Sequence, residues 1–258
     1  MSEFFRLLAG TVIHRPYVYA FFACFLVFAV AHIGAKRTAA YTVMAWIIAF
    51  ISEYSATRNG FPFGLYHYID ETRTRELWVS NVPFWDSLSF VFLSYFSFLM
   101  AAVLLSRPGE LRGGAARWSG LAHPWAPLLG AFLMMMLDVV IDPVTLRGEK
   151  WFLGRMYYYP TPGPHFGVTW QNYVGWFFVG AVTQFLGQHF LVKPSRSRLP
   201  RLFPWAVWGV YAGVLGFMIF IAAVFVKEPA LFAASVLTAL ATLGPMALRL
   251  SRVAGWPL

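Results

Sequence analysis

A chain of 258 residues that is 59% hydrophobic and only 12% charged, with a mean hydropathy of +0.61, is not an ordinary soluble domain, where about a quarter of residues are charged. The formal net charge of +9 does not point to nucleic acid, because Lys and Arg lie in short runs between apolar segments and form no basic stripe or recognition helix. Such runs suit anionic lipid headgroups. The single cysteine, Cys24, excludes an intramolecular disulfide and any CxxC redox or zinc motif.

Apolar stretches of about 20 residues recur from end to end, each long enough to cross a bilayer. In chain order they predict seven spans, over residues 16–34, 38–56, 82–105, 125–141, 173–192, 202–226 and 230–248. The first follows a short polar and basic start with no small-residue cleavage site after it, so an uncleaved helix is expected and not a signal peptide. Lys36-Arg37 is expected to mark the connection between the first two spans. Residues 107–113 form a turn-rich loop, and 193–200 a basic, proline-bounded one. The reading is an all-α polytopic transmembrane bundle, one integral membrane domain over 1–258 in the cell membrane. The lipid bilayer is its first partner and nucleic acid is not one.

Two connections differ from the rest. Residues 58–81 and 143–172 are long for a helical bundle and dense in Gly, Pro, Tyr, Trp and Asn. Segments as apolar as 61–68 and 156–159 are expected to turn back toward the bundle or lie in the interface. If the spans alternate in direction, both loops fall on one face, and that face also receives the ends of spans two, three and four.

Those three ends carry carboxylates: Glu53, Asp86 and Asp138, with Asp142 one turn further on. An ionised carboxylate in hydrocarbon is costly, so an acid within a span marks a functional site. Asp138 and Asp142 are spaced i, i+4 and share a helix face. Two close acids in a low dielectric do not readily both ionise, so one is expected to keep its proton at neutral pH. Pro143 is expected to end the helix at Asp142. The structural alternative is ion pairing of the acids with Arg58, Arg73 or Arg155, or an N-terminal helix charge in the case of Asp86. Asn59, Asn81, Gln171 and Asn172 are candidates to orient a water or a carboxyl.

The six histidines form no HxxH, HxxxH or HExxH pattern, so no metal or other cofactor is expected. His67 sits among tyrosines. Gln184, Gln188 and His189 are expected to hold helices together. Carboxylic acid, water and aromatic rings in an apolar bundle suit protonation of an alkene, with ring faces stabilising a carbocation. A transporter or proton relay uses similar parts.

The loops carry a resemblance. Glu53 followed by 60–68 (Gly-Phe-Pro-Phe-Gly-Leu-Tyr-His-Tyr), Asn81-Val-Pro83, Asp138 with Asp142-Pro-Val144, and 166–176 (Phe-Gly-Val-Thr-Trp-Gln-Asn-Tyr-Val-Gly-Trp) resemble the membrane carotenoid-biosynthesis proteins that include bacterial carotenoid 1,2-hydratases and haloarchaeal bisanhydrobacterioruberin hydratases. The chain departs from that pattern at Thr169, where the family has proline. The resemblance implies cofactor-free addition of water to the terminal double bond of an acyclic carotenoid, with other carotenoid-pathway enzymes as candidate partners. The chemistry of the residues makes Asp138 the expected proton donor, supported by Asp142, with Glu53 or Asp86 positioning water. Tyr66, His67, Tyr68, Tyr158, Asn172 and Trp176 are expected to hold the substrate and shield the cation. An isoprenoid isomerase or cyclase using the same protonation, and a lipid or ion transporter, are the alternatives.

Overall fold

A computed structural model describes residues 3–112, 118–191 and 200–255. The end of the predicted 107–113 loop and residues 193–199 of the basic loop lie outside the described residues. Eight α-helices are found among them: α1 (Glu3–His14), α2 (Pro16–Ile33), α3 (Ala35–Asn59), α4 (Phe84–Leu105), α5 (Ala126–Thr145), α6 (Trp170–Leu191), α7 (Phe203–Ile221) and α8 (Pro229–Ala254). Four two-residue strands lie in the loops: β1 (His67–Tyr68), β2 (Trp78–Val79), β3 (Val82–Pro83) and β4 (Tyr157–Tyr158).

Six segments are long and apolar enough to cross a membrane: Pro16–Ile33, Ala35–Asn59, Phe84–Leu105, Ala126–Thr145, Phe203–Val226 and Pro229–Ala254. The fifth expected span, 173–192, corresponds to α6, which is not among these six. Its 22 residues reach about 33 Å at the α-helical rise, but Gln171, Asn172, Gln184, Gln188 and His189 interrupt its apolar run. It packs against α5 and α3. Gly130 of α5 allows the close approach, since a Cβ there would stand 2.0 Å from the Gln184 side-chain oxygen.

The centre of the bundle is α4. From Ser87 to Val103 only Ser89 escapes full burial, as expected of a helix that is apolar on all sides. Helices α2, α3, α5, α7 and α8 surround it.

Three sequence expectations are corrected. Lys36 and Arg37 are not a connection but belong to the first turn of α3. Gly34 alone joins α2 to α3, at φ +82°, a conformation that suits glycine. The helix does not stop at Asp142: α5 runs to Thr145 with Pro143 inside it, and the Leu146 N–H closes on the Asp142 carbonyl at 2.9 Å. A proline in a last turn forfeits one hydrogen bond and leaves the turns before it intact. The polar start contains α1, which docks through Thr11, whose Oγ1 accepts the Leu77 N–H at 2.7 Å. Its Phe4, Phe5 and Ile13 remain exposed.

The two aromatic loops meet at one end of the bundle. β1 pairs antiparallel with β4, His67 opposite Tyr158 and Tyr68 opposite Tyr157, and the Ile69 N–H extends the pairing to the Met156 carbonyl at 2.7 Å. A buried ion pair fastens the same region. Arg15 Nη2 lies 2.8 Å from Glu76 Oε1, with the side chains 1% and 0% exposed. Arg15 Nη1 also donates to the Leu153 carbonyl at 2.5 Å, and Trp85 Nε1 donates to Glu76 Oε2 at 2.9 Å. One arginine thus ties the start of α2 to both loops.

Candidate active site

Strand alternation decides which loop side chains turn inward. Tyr68 and its cross-strand partner Tyr157 share a face with their next-but-one neighbours Tyr66 and Tyr159. The four rings pack edge to face, with Tyr66 5.3 Å from Tyr68 and 5.8 Å from Tyr157, and Tyr157 6.0 Å from Tyr159. His67 and Tyr158 take the opposite face, where Tyr158 is exposed. Burial pushes all four inward phenols well above the ordinary tyrosine range, and the nearby carboxylates push in the same direction. They are therefore neutral hydroxyl donors.

The hydroxyls reach acids on both sides of the cluster. On one wall, Tyr66 Oη donates to Tyr68 Oη at 3.3 Å, and Tyr68 Oη donates to Asp86 Oδ2 at 2.5 Å while lying 3.3 Å from Glu53 Oε1. Ser87 Oγ donates to the other Glu53 oxygen. On the facing wall, Asp142 Oδ1 accepts from Tyr157 at 2.9 Å, and its Oδ2 accepts from Tyr159 at 3.2 Å. The Asn172 side-chain nitrogen donates to Asp142 Oδ2 at 2.9 Å and to Asp138 Oδ2 at 2.6 Å. One amide thus bridges both acids of α5, each N–H serving one carboxyl. Asp138 Oδ1 is buried and has no hydrogen-bond partner among the described residues.

Between the walls is a cavity of about 110 Å³. Glu53, Asp86, Asp142 and Asn172 reach it together with Tyr66, Tyr68, Tyr157, Tyr159 and Trp176. Apart from Ser89, Thr145 and the Tyr17 hydroxyl, the remaining surface is apolar, supplied by residues such as Phe63, Phe90, Leu93 and Met218. Trp176 is held flat against Phe90, ring centres 4.2 Å apart and planes 15° apart. The cavity therefore has a polar end of carboxyls and hydroxyls and an apolar, aromatic body.

Of the ten residues expected to act on or hold the substrate, seven line the cavity and three do not; Asn59, Asn81 and Gln171, weighed as water-orienting groups, do not line it either. Asp138 stands behind Asp142 and Asn172 and does not line the cavity. His67 and Tyr158 turn away from it, because the register gives them the outer face of the β1–β4 pair. Sequence reasoning missed Tyr157 and Tyr159. The i, i+2 repeat of Tyr66 and Tyr68, set beside that of Tyr157 and Tyr159, is the signal that was available. It also missed Ser87, Arg15 and Glu76. Of the arginines weighed as partners for the acids, Arg58 donates to Asn81 Oδ1 at 2.7 Å and Arg73 to the Ser80 carbonyl at 2.6 Å. Gln188 holds the carbonyls of Leu121 and His123 at 3.0 and 3.2 Å, as expected of a tether, whereas His189 faces outward.

A bundle of membrane-length helices around an apolar cavity with carboxyls at one end defines a polytopic membrane protein able to hold a greasy molecule against acids. The chain belongs to the carotenoid biosynthesis protein family, whose model matches residues 14–244. Its role lies in carotenoid biosynthesis. Neither comparison with curated proteins nor comparison with solved structures finds a match.

Proposed function

We propose that the protein is a carotenoid hydratase of the cell membrane, adding water to the terminal double bond of an acyclic carotenoid end group. The observation that carries this reading is the cavity itself: an aromatic, apolar body closed at one end by three carboxyls, Asp86 and Asp142 accepting hydrogen bonds from tyrosine hydroxyls and Glu53 Oε1 lying 3.3 Å from the Tyr68 hydroxyl. In the step proposed, a protonated carboxyl gives its proton to the less substituted carbon of the double bond. The π electrons form the new C–H bond, and the positive charge falls on the tertiary carbon. Water held at the polar end attacks that carbon and loses a proton to a carboxylate. The sum is alkene plus water to tertiary alcohol, and the proton taken up by the accepting carboxylate returns to the donor before the next turnover.

The geometry favours one division of roles. The donor must reach the cavity, which favours Asp142 over Asp138. Tyr157, Tyr159 and Asn172 fix the orientation of Asp142, and Asp138 acts through the shared Asn172 amide. Asp86 and Glu53 face it from the opposite wall, where they hold the water and accept its proton. Trp176 and the tyrosine rings shield the cation.

The test is expression in a lycopene-making host with pigment analysis by mass spectrometry. Gain of one water per reacted end supports the reading. An isomeric hydrocarbon of unchanged mass would instead assign the same protonation to an isomerase or cyclase, and unchanged lycopene would return the question to transport.

A further inference from the structure

The cavity is much smaller than the molecule it is proposed to act on. A 150 Å³ apolar cavity holds about one benzene ring, so the 110 Å³ here accommodates one branched end of an isoprenoid and little more. The rest of a long polyene must lie outside it. The position of the thinnest wall indicates where.

Helices α2 and α7 both pack on α4, yet among the described residues they form no extended packing with each other. Along this seam the cavity is walled by rings, and at the level of Tyr17 the rings of Trp151 and Phe152 from the second loop pack over them. Tyr17 and Phe21, one turn apart on α2, and Phe217 of α7 all line the cavity and are all only half buried. Tyr17 stacks on Phe217 with centres 5.2 Å apart, and Phe21 meets Phe217 edge-on at 6.4 Å. One turn before Phe217 on α7 comes Gly213, which is exposed; a Cβ there would sit 3.7 Å from the Phe21 ring. The side chain that would fill the seam at that level is missing.

We infer that the seam between α2 and α7 is the substrate's entrance from the bilayer, and that its polyene chain lies there, along Phe21, Gly213 and Phe217, while its end group occupies the cavity. Entry at the level of Gly213 proceeds by side-chain rotation of Phe21 and Phe217 and does not separate two packed helices. A hydrocarbon chain then never leaves apolar surroundings, and it reaches the acids end first. This inference names the chain subsite of the hydratase proposed above and rests on that reading.

The test bridges the seam reversibly. In a Cys24→Ser background, Phe21→Cys and Phe217→Cys are joined by a short bis-methanethiosulfonate reagent that reductant cleaves. The protein is reconstituted in liposomes, and uptake of lycopene is followed by the pigment retained on re-purification. Uptake should be about tenfold slower in the bridged protein and recover on reduction. Equal uptake in the two states, or no pigment retained in either, overturns the inference. Gly213→Trp provides a second variant at an exposed position and should slow uptake without a cross-link; unchanged uptake counts against the seam. Seam-dependent uptake with no hydrated product leaves the entrance standing and removes the hydratase reading. Normal product from the bridged protein does the reverse.

Discussion

Asp142 and Asp138 differ in one respect that their spacing in the sequence does not reveal. An i, i+4 pair shares a helix face, but which of two successive turns meets a cavity depends on where the neighbouring segments stop. Here the tyrosines of the second loop reach Asp142, and Asp138 is left one turn deeper with the Asn172 amide as its hydrogen-bond donor. The deeper acid was the donor expected from sequence, and the proposal moves that role to its neighbour. Asp142→Asn should lower turnover by about 10²–10⁴-fold, the usual worth of a positioned general acid. Asp138→Asn should cost less and act on turnover more than on substrate affinity. The comparison is made on pigment conversion at equal protein level in the membrane. A fully active Asp142→Asn protein beside a dead Asp138→Asn one would place the donor at Asp138 after all.

Among elements, those set by local composition were legible and those set by pairing were not. Runs of about 20 apolar residues announce spans without reference to the rest of the chain, and the positions of Glu53 and Asp86 near span ends follow directly. Two-residue strands such as β1 and β4 have no local signal, since each exists only because the other loop arrives beside it. Their register, which turns Tyr157 and Tyr159 inward and His67 and Tyr158 outward, could not be read from either loop alone. The Arg15–Glu76 pair joins residues 61 positions apart in sequence, counting from 15 to 76, and is hidden for the same reason. That pair gives a stability prediction. Glu76→Gln keeps an acceptor for Trp85 Nε1 but strands the buried guanidinium, at a cost of about 3–5 kcal/mol. Thermal unfolding in detergent should show a clear loss, and the double change Arg15→Met with Glu76→Gln should recover part of it. A Glu76→Gln protein as stable as the parent would mean that the pair contributes nothing to holding the loops.

At the scale of the whole molecule, the polar groups that matter are gathered at one end. Helix α3 delivers Glu53 late, α4 delivers Asp86 early, α5 delivers Asp142 late and α6 delivers Asn172 early. Four helices of alternating direction present these positions to a common level only if each reverses at the end of the one before. The pairing of β1 with β4 requires the same arrangement, because it brings the connection after α3 beside the connection after α5. In the hydration proposed above, water would come from the loop end and substrate from among the apolar helices. The arrangement predicts a labelling pattern. In a Cys24→Ser background, single cysteines replace exposed residues: Glu71 and Thr161 in the two aromatic loops, Lys36 and Arg107 at the other ends of the same helices. A membrane-impermeant maleimide should reach Glu71→Cys and Thr161→Cys from one side of sealed vesicles, and Lys36→Cys and Arg107→Cys only from the other. Labelling of the two loop positions from opposite sides would separate β1 from β4, and Tyr68 and Asp86 could then no longer face Tyr157 and Asp142 across one cavity.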